Sequence, residues 1–399
     1  MWASDHQTCT SSIYGPSSSS SSNSFSEETS FLYSHRPSLP PSAAPPSSPP
    51  LRHHCVATVK GRNSYTSALV LAGEHLFTGS SDSQIRRNDP SSLHDHERLV
   101  DETAVVAGEG AVKALVASSS DKLISAHQDH KIRVWRVDHT VSNQQRITHL
   151  ATLPTLSDRA IKLLLPKNHV QVRRHKKCTW IHHVDAVSAL ALSTDQSLLY
   201  SVSWDRTLKI WRTTDFKCLE SVANAHDDAI NAVAVSADGR VYTGSSDRKI
   251  KVWKQKPGEK THSLDAILVK HTAGINTLAI STDGMVLYSG ASDRLIRAWT
   301  TNAGGGRMEA AAALRGHTKS ILCLATVADM VCSGSADKTV RIWRGIGKSY
   351  SCLAILEGHK GPIKCITVAF DHTSNPSNSL LYSSSLDCDI KVWKICLSR

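Results

Sequence analysis

Five times along this 399-residue chain a histidine is followed by a serine or threonine, then an aspartate, then a tryptophan. The sets are His183, Ser201, Asp205 and Trp211; His226, Thr243, Asp247 and Trp253; His271, Ser289, Asp293 and Trp299; His317, Ser333, Asp337 and Trp343; and His359, Ser383, Asp387 and Trp393. Histidine, serine and aspartate are the residue types of a nucleophilic triad, in which an imidazole takes the serine proton and a carboxylate orients the imidazole. A nucleophile site occurs once in a protein, whereas this set recurs copy after copy, so the residues are read as structural. No nucleophile elbow, metal-binding His/Glu set or paired-carboxylate motif stands out beside them. The sequence is accordingly expected to be no enzyme, with no catalytic residues, no cofactor, no metal and no evident small-molecule substrate.

The elements that carry the set are short β-type runs separated by turn residues. Between Gly316 and Arg344 the runs Ile321-Leu322-Cys323-Leu324-Ala325, Val331-Cys332-Ser333-Gly334-Ser335 and Thr339-Val340-Arg341-Ile342-Trp343 follow one another. In each copy the Ser or Thr stands four residues before the aspartate and the Trp six after it. The same frame fits Ser125, Asp129 and Trp135, and also Thr78 and Asp82, where Asn88 replaces Trp. That makes seven copies, and the ordinary ones recur at roughly 40–50 residues, the period of four-stranded propeller blades. Turns such as Ser236-Ala237-Asp238-Gly239 and Ser281-Thr282-Asp283-Gly284 supply hairpin geometry between them. From about residue 51 to the end the chain resembles the WD-repeat β-propellers.

That resemblance implies an all-β, seven-bladed propeller in which His, Ser/Thr, Asp and the Trp indole N–H form a hydrogen-bonded chain inside each blade. Arg62 stands at the histidine position of blade one and Gly108 at that of blade two, so both sets are expected to be incomplete. His53-His54-Cys55-Val56-Ala57-Thr58-Val59 aligns with Ser351 to Leu356, the outer strand before a blade, while the chain ends just past Trp393. The N-terminal strand is therefore expected to complete the last blade and remove an exposed sheet edge.

Two regions fall outside the repeat. About half of residues 1–50 are Ser or Pro, a composition expected to be disordered, with Ser48-Pro49 one candidate phosphorylation site. Residues 51–399 form the propeller domain, interrupted by a basic insertion at 139–182 between blades two and three. Its eight Lys and Arg residues face Asp158 alone, giving +7 of the formal +11. A short helix is expected at about 158–165, capped by Ser157, with Ile161, Leu164 and Leu165 on one face and Pro166 as its stop. Arg173, Arg174, Lys176 and Lys177 form the basic patch, and Thr179-Trp180-Ile181 is expected as the outer strand of blade two. Such a patch suits an acidic partner, nucleic acid or an import receptor, or is a solvated loop. Aromatic interleaving is thin there, with Trp180 alone, which argues against stacking readout of nucleic acid.

No run of about 18 apolar residues occurs, so no membrane span is expected. The N-terminus lacks the basic-then-apolar order of a secretory signal, and its Asp5, Glu27 and Glu28 argue against a transit peptide. Ten cysteines include no CxxC pair, and Cys55, Cys218 and Cys352 fall at one repeat position, expected as small apolar residues of outer strands. Cytoplasm and nucleus follow as the expected compartments.

The Ser/Pro-rich head, Leu76 to Asp82, Ala126 to Trp135, the Leu150–Leu156 and Pro166–Arg174 passages and Cys218 to Asn231 together resemble the plant JINGUBANG-type WD-repeat proteins. This implies a non-enzymatic regulator binding other proteins, including transcription-regulatory ones, in plant growth or pollen development. The alternatives are a nucleic-acid-associated adaptor acting through the basic insertion, or a substrate-recognition adaptor of a ubiquitin ligase. The Trp-Asp-x-Arg signature of such adaptors is absent from the blade ends, where Arg or Lys usually follows Trp. In the resembling family the face bearing the Asp turns docks peptides, which points to Trp204, Lys113, Gln128, Asn231, Asn276 and Lys364 as partner-binding candidates.

Overall fold

The computed structural model describes residues 51–61, 63–73, 75–88, 104–106, 108–118, 121–137, 147–163, 169–173, 176–256, 258–259, 261–301, 308–346, 349–370 and 378–396. The Ser/Pro-rich head, the glycine run 304–306 and Arg62 lie outside them. Seven four-stranded antiparallel sheets follow one another along the chain. In six of them the four strands are consecutive, a meander in which turn residues alone set the connections.

The seventh sheet is completed from the other end of the sequence. Strand Arg52–Val59 pairs with Ile390–Cys396, from Arg52 opposite Cys396 to Val59 opposite Ile390. Each inner strand lies against those of its two neighbour blades, and that of blade seven, Ile363–Phe370, lies against that of blade one, Thr66–Ala72. The ring therefore closes twice, once through packed inner strands and once through a shared sheet.

The apolar core sits between blades rather than within one. Tyr200, Val202, Leu208 and Ile210 of blade three pack on Ile230, Val233 and Trp253 of blade four. The other blade-to-blade layers repeat this, down to Leu76 of blade one against Tyr382 and Val392 of blade seven. Second strands such as Val241–Ser245 and Met330–Ser335 are buried along their whole length because both faces meet a neighbour.

One irregularity is common to every blade. The inner strand slips register against its neighbour at its second residue, between Thr66 and Ala68, Val112 and Ala114, Val187 and Ala189, and so on to Ile363 and Cys365. A bulge of this kind re-aims one side chain. The residues re-aimed are Ser67, Lys113, Ser188, Asn231, Asn276, Leu322 and Lys364.

Between blades two and three the order differs from the expectation. The outer strand of blade two is Ile147–Leu153, pairing Leu153 with Ile132 and His149 with Trp135, not Thr179-Trp180-Ile181. An outer strand buries one face only, and Ile147 and Leu153 are its buried ends, so its apolar signal in the sequence is weak. A helix Leu156–Leu163 follows, then the hairpin His169–Arg173 with Lys176–Thr179. Thr155 rather than Ser157 caps the helix: the Asp158 N–H donates to its Oγ1 at 3.2 Å. Leu164 and Leu165 lie outside the described residues. Asp158 is buried and accepts a hydrogen bond from the Cys218 N–H at 2.9 Å, tying the helix to blade three.

Candidate functional site

In blades three to seven the four residues of each set meet. The Trp211 Nε1–H donates to Ser201 Oγ at 2.9 Å, Ser201 Oγ lies 2.8 Å from His183 Nε2, and His183 Nδ1 lies 3.1 Å from Asp205 Oδ2. The corresponding three distances are 2.9, 2.7 and 2.8 Å for Trp253, Thr243, His226 and Asp247. They are 2.8 Å throughout for Trp299, Ser289, His271 and Asp293, and for Trp343, Ser333, His317 and Asp337. In blade seven Trp393 donates to Ser383 at 2.8 Å, and His359 bridges Ser383 at 2.9 Å and Asp387 at 3.1 Å. Each aspartate also accepts backbone N–H groups, as Asp205 does from Val184 and Thr207.

This chain has one polarity. Indole N–H donates to hydroxyl, hydroxyl to imidazole Nε2, and imidazole Nδ1–H to carboxylate, so every atom is satisfied with a neutral ring. Burial holds His183, His226, His271, His317 and His359 below the usual histidine range, in keeping with that form. Burial would raise the Asp337 carboxyl, but the imidazole, hydroxyl and backbone donors outweigh it and bring it down to about 2. Ser201, Thr243, Ser289, Ser333 and Ser383 are wholly buried and spend their oxygen on the indole, so no substrate reaches them. What the arrangement does is lock the loop before each inner strand to the turn between the second and third strands.

Blades one and two, which lack the loop histidine, reach the same end differently. His127, two residues after Ser125 on the second strand of blade two, supplies the imidazole: its Nε2 lies 2.7 Å from Ser125 Oγ and its Nδ1 3.2 Å from Gly110 O. The Trp135 Nε1–H donates to Ser125 Oγ at 2.8 Å. Asp129, left without a histidine, is held by Arg133, whose Nη1 is 3.1 Å from Oδ1. In blade one Arg86 holds Asp82, Ser64 donates to Asp82 Oδ2 at 2.8 Å, and the amide of Asn88 donates to Leu76 O at 3.4 Å. Arg86 and Arg133 stand four residues after their aspartates, a position that is basic in all seven blades. In blade four that cation turns to a backbone oxygen instead, Lys251 to Ala225 O at 2.7 Å, and in blade seven Lys391 donates to Thr58 Oγ1 at 3.0 Å. The reading of Gly108 as a missing histidine overlooked His127 and this basic position, though both were visible in the spacing.

The Asp turns, the loop before each inner strand and the bulged residues all lie at one end of the blades. Four bulged residues bridge to the next blade. Ser67 donates to Val112 O, Ser188 to Ile230 O, Asn231 to Ile275 O at 2.9 Å and Asn276 to Ile321 O at 2.7 Å. Asn231 and Asn276 thus staple neighbouring blades, with a second bond each to Ser246 and Ser292.

Blade two breaks this series. Lys113 places its Nζ 5.3 Å from the ring centroid of Trp204, in the turn of blade three. Burial and the charge of Lys364 hold the Lys113 ammonium below its usual range. Trp204 is 41% exposed, on a face lined mostly by small and polar side chains. Val184 and Leu386 are the other exposed large apolar side chains among the described residues of this face. Gln128 and Lys364 are exposed on it as well.

The basic patch lies on the hairpin after the helix. Arg173 pairs with Lys176 and Gln171 with Lys177, while Arg174 and the side chains of the other three lie outside the described residues. Cys55, Cys218 and Cys352 stand in outer strands, each opposite a tryptophan (Trp393, Trp211 and Trp343). Only Cys218 is buried there; Cys55 and Cys352 are exposed because the blade rim ends at the outer strand. No group of three His, Cys, Asp or Glu residues placed to hold a metal occurs among the described residues. No helix among them is long and apolar enough to cross a membrane.

Five segments, 175–212, 216–254, 262–300, 309–344 and 350–394, match the family described as WD domain, G-beta repeat. They end on the third strands of blades three to seven, the blades with complete sets. The chain is 33% identical over 102 residues to the small ribosomal subunit protein RACK1 of Drosophila melanogaster, covering 25% of this chain and 30% of that one. It is 23% identical over 308 residues to autophagy-related protein 16 of Arabidopsis thaliana, covering 73% and 59%. It is 26% identical over 231 residues to the ribosome biogenesis protein YTM1 of Candida glabrata, covering 54% and 47%. The chain thus spans less than two thirds of these curated relatives.

Proposed function

The chain belongs to the WD-repeat proteins, a propeller family that is typically a non-catalytic scaffold, and from that premise we propose that its Asp-turn face receives a segment of a partner protein anchored at Trp204. The observation that carries this is the pairing of Trp204, 41% exposed, with the half-buried Lys113 ammonium over its ring. Binding energy at interfaces concentrates in such partly exposed aromatic anchors, and a rigid rim holds the anchor in place before the partner arrives. Scaffold rather than catalyst also fits the five buried sets, whose hydroxyls are committed to structure.

Within this reading, transcription-regulatory partners met in nucleus and cytoplasm, in plant growth or pollen development, rest on the resemblance of the sequence to the JINGUBANG-type proteins. A second reading, association with nucleic acid through the hairpin carrying Arg173, Lys176 and Lys177, draws on its local charge and on the ribosomal names of two of the relatives.

The experiment is affinity capture from source tissue with the full chain, its Trp204→Ala variant and a Leu219→Ala control, which removes an equally exposed apolar side chain from an outer strand. Proteins lost with Trp204→Ala and kept with Leu219→Ala support the face. Identical captures by all three argue against it, and RNA-dependent capture lost on neutralising 173–177 favours the second reading.

A further inference from the structure

The residue after each aspartate turns the chain with a positive φ, between 65° and 74° in all seven blades. In five consecutive blades that residue is His, Arg or Lys: His130, Arg206, Arg248, Arg294 and Lys338. Glycine or asparagine is the easier choice in this conformation, so the turn geometry alone does not ask for a basic side chain. All five side chains are exposed, and none of Arg206, Arg248, Arg294 and Lys338 takes part in an ion pair among the described residues.

Most acids at this end of the blades are spent within the fold, while Glu109 and Glu357, in the loops before two inner strands, are exposed. Asp205, Asp247, Asp293 and Asp337 turn inward to histidine and backbone N–H groups. Asp185 and Asp228 cap the N–H groups of Ala186 and Ala229, and Asp227 is paired with Lys249 at 2.6 Å. Lys113 and Lys364, at bulged positions, lie close enough to repel each other. The unpaired charge on the rim is mainly cationic, with Trp204 two residues from Arg206 on the same turn.

We propose that the segment docking on this face is an acidic polypeptide carrying an apolar residue, its carboxylates meeting Arg206, Arg248 and Arg294 and its apolar side chain meeting Trp204. This rests on the reading of the face as the docking surface and adds the chemistry of the partner. Charge complementarity argues for the acid. Two features argue for polypeptide over a nucleic-acid strand. Strand binding needs successive aromatic platforms, and Trp204 is the single exposed Trp, Tyr or Phe ring on this face among the described residues. One side of that ring also has the Lys113 ammonium over it.

The test uses the full chain and a fluorescein-labelled peptide of glutamates with two central leucines. Comparison probes are the same peptide with glutamine for glutamate, and an oligothymidylate of equal length. The variants are Trp204→Ala and the triple Arg206→Asn, Arg248→Asn, Arg294→Asn, in which asparagine suits the positive φ and the melt should hold. The acidic peptide is expected to bind, to weaken by about tenfold or more when the arginines go, and to weaken again at high salt. The glutamine peptide and the oligothymidylate are expected to bind at least as weakly as the acidic peptide binds the triple variant. Binding that survives the triple variant but is lost with Trp204→Ala overturns the acidic partner and leaves the docking face standing. Binding indifferent to both variants, or absent, overturns both. Tighter binding of the oligothymidylate overturns the polypeptide in favour of nucleic acid.

Discussion

Arg133 fills the space that a side chain on Gly108 would need: a Cβ there would stand 2.4 Å from Nη2 of the guanidinium. Gly108 also has φ +134°, so its lack of a side chain serves both the backbone and the arginine. Gly108→Ala is expected to cost about 1–3 kcal/mol through strain and displacement of Arg133. Arg133→Ala, which strands the Asp129 carboxylate, is expected to cost about as much. Urea denaturation of the two variants checks this. Wild-type midpoints would mean that Asp129 needs no cation.

Asp247→Ala should damage folding rather than a reaction. It leaves His226 Nδ1–H without its acceptor, at a cost of about 1–3 kcal/mol. Trp253→Ala removes a buried ring as well as the donor to Thr243, at about 3–5 kcal/mol. Denaturation midpoints measure both. An Asp247→Ala protein of wild-type stability would contradict the structural role of the set.

Ring closure can be tested by two truncations. Removal of 1–50 is expected to leave the melting temperature unchanged. Removal of 1–60 strips the strand Arg52–Val59 from Ile390–Cys396 and exposes an edge, and should lower it by about 5 °C or more. Equal melting temperatures would mean that the shared sheet does not hold the ring.

Acid should weaken the fold in two stages. Burial lowers the five set histidines, and takes His127 to about 4 from 6.5. Below pH 6.5 the unfolded chain takes up protons that the folded chain refuses, so stability is complete above that pH and is lost as pH falls toward the folded values. A second loss begins below the unfolded carboxylate value of 3.8, where Asp337, at about 2, stays ionised in the folded state. Urea midpoints at pH 8, 6 and 5 should fall in that order. A flat profile would mean that the folded histidines take up protons over the same pH range as the unfolded ones.

Much of this was legible because repetition amplifies weak signals. One Ser/Thr-x-x-x-Asp-x-x-x-x-x-Trp spacing means little; six of them set out strands, turns and the buried chain at once. Legibility failed where a residue departs from the repeat. The outer strand Ile147–Leu153 buries two ends of a mostly polar run, so Thr179-Trp180-Ile181 looked the better strand. The bonds of Asn231 and Asn276 to the next blade were not legible, because a bulge leaves no mark in composition. Trp204 stood out because it alone is aromatic among the residues that precede the aspartates.

The most direct test of the docking face is calorimetric titration of a captured partner into wild-type and Trp204→Ala protein, with a melting curve for each. Loss of a central aromatic anchor is expected to weaken binding by about 2 kcal/mol, roughly thirtyfold, at an unchanged melting temperature. Wild-type affinity for the Trp204→Ala protein would contradict the account, as would a lowered melting temperature that explains the loss.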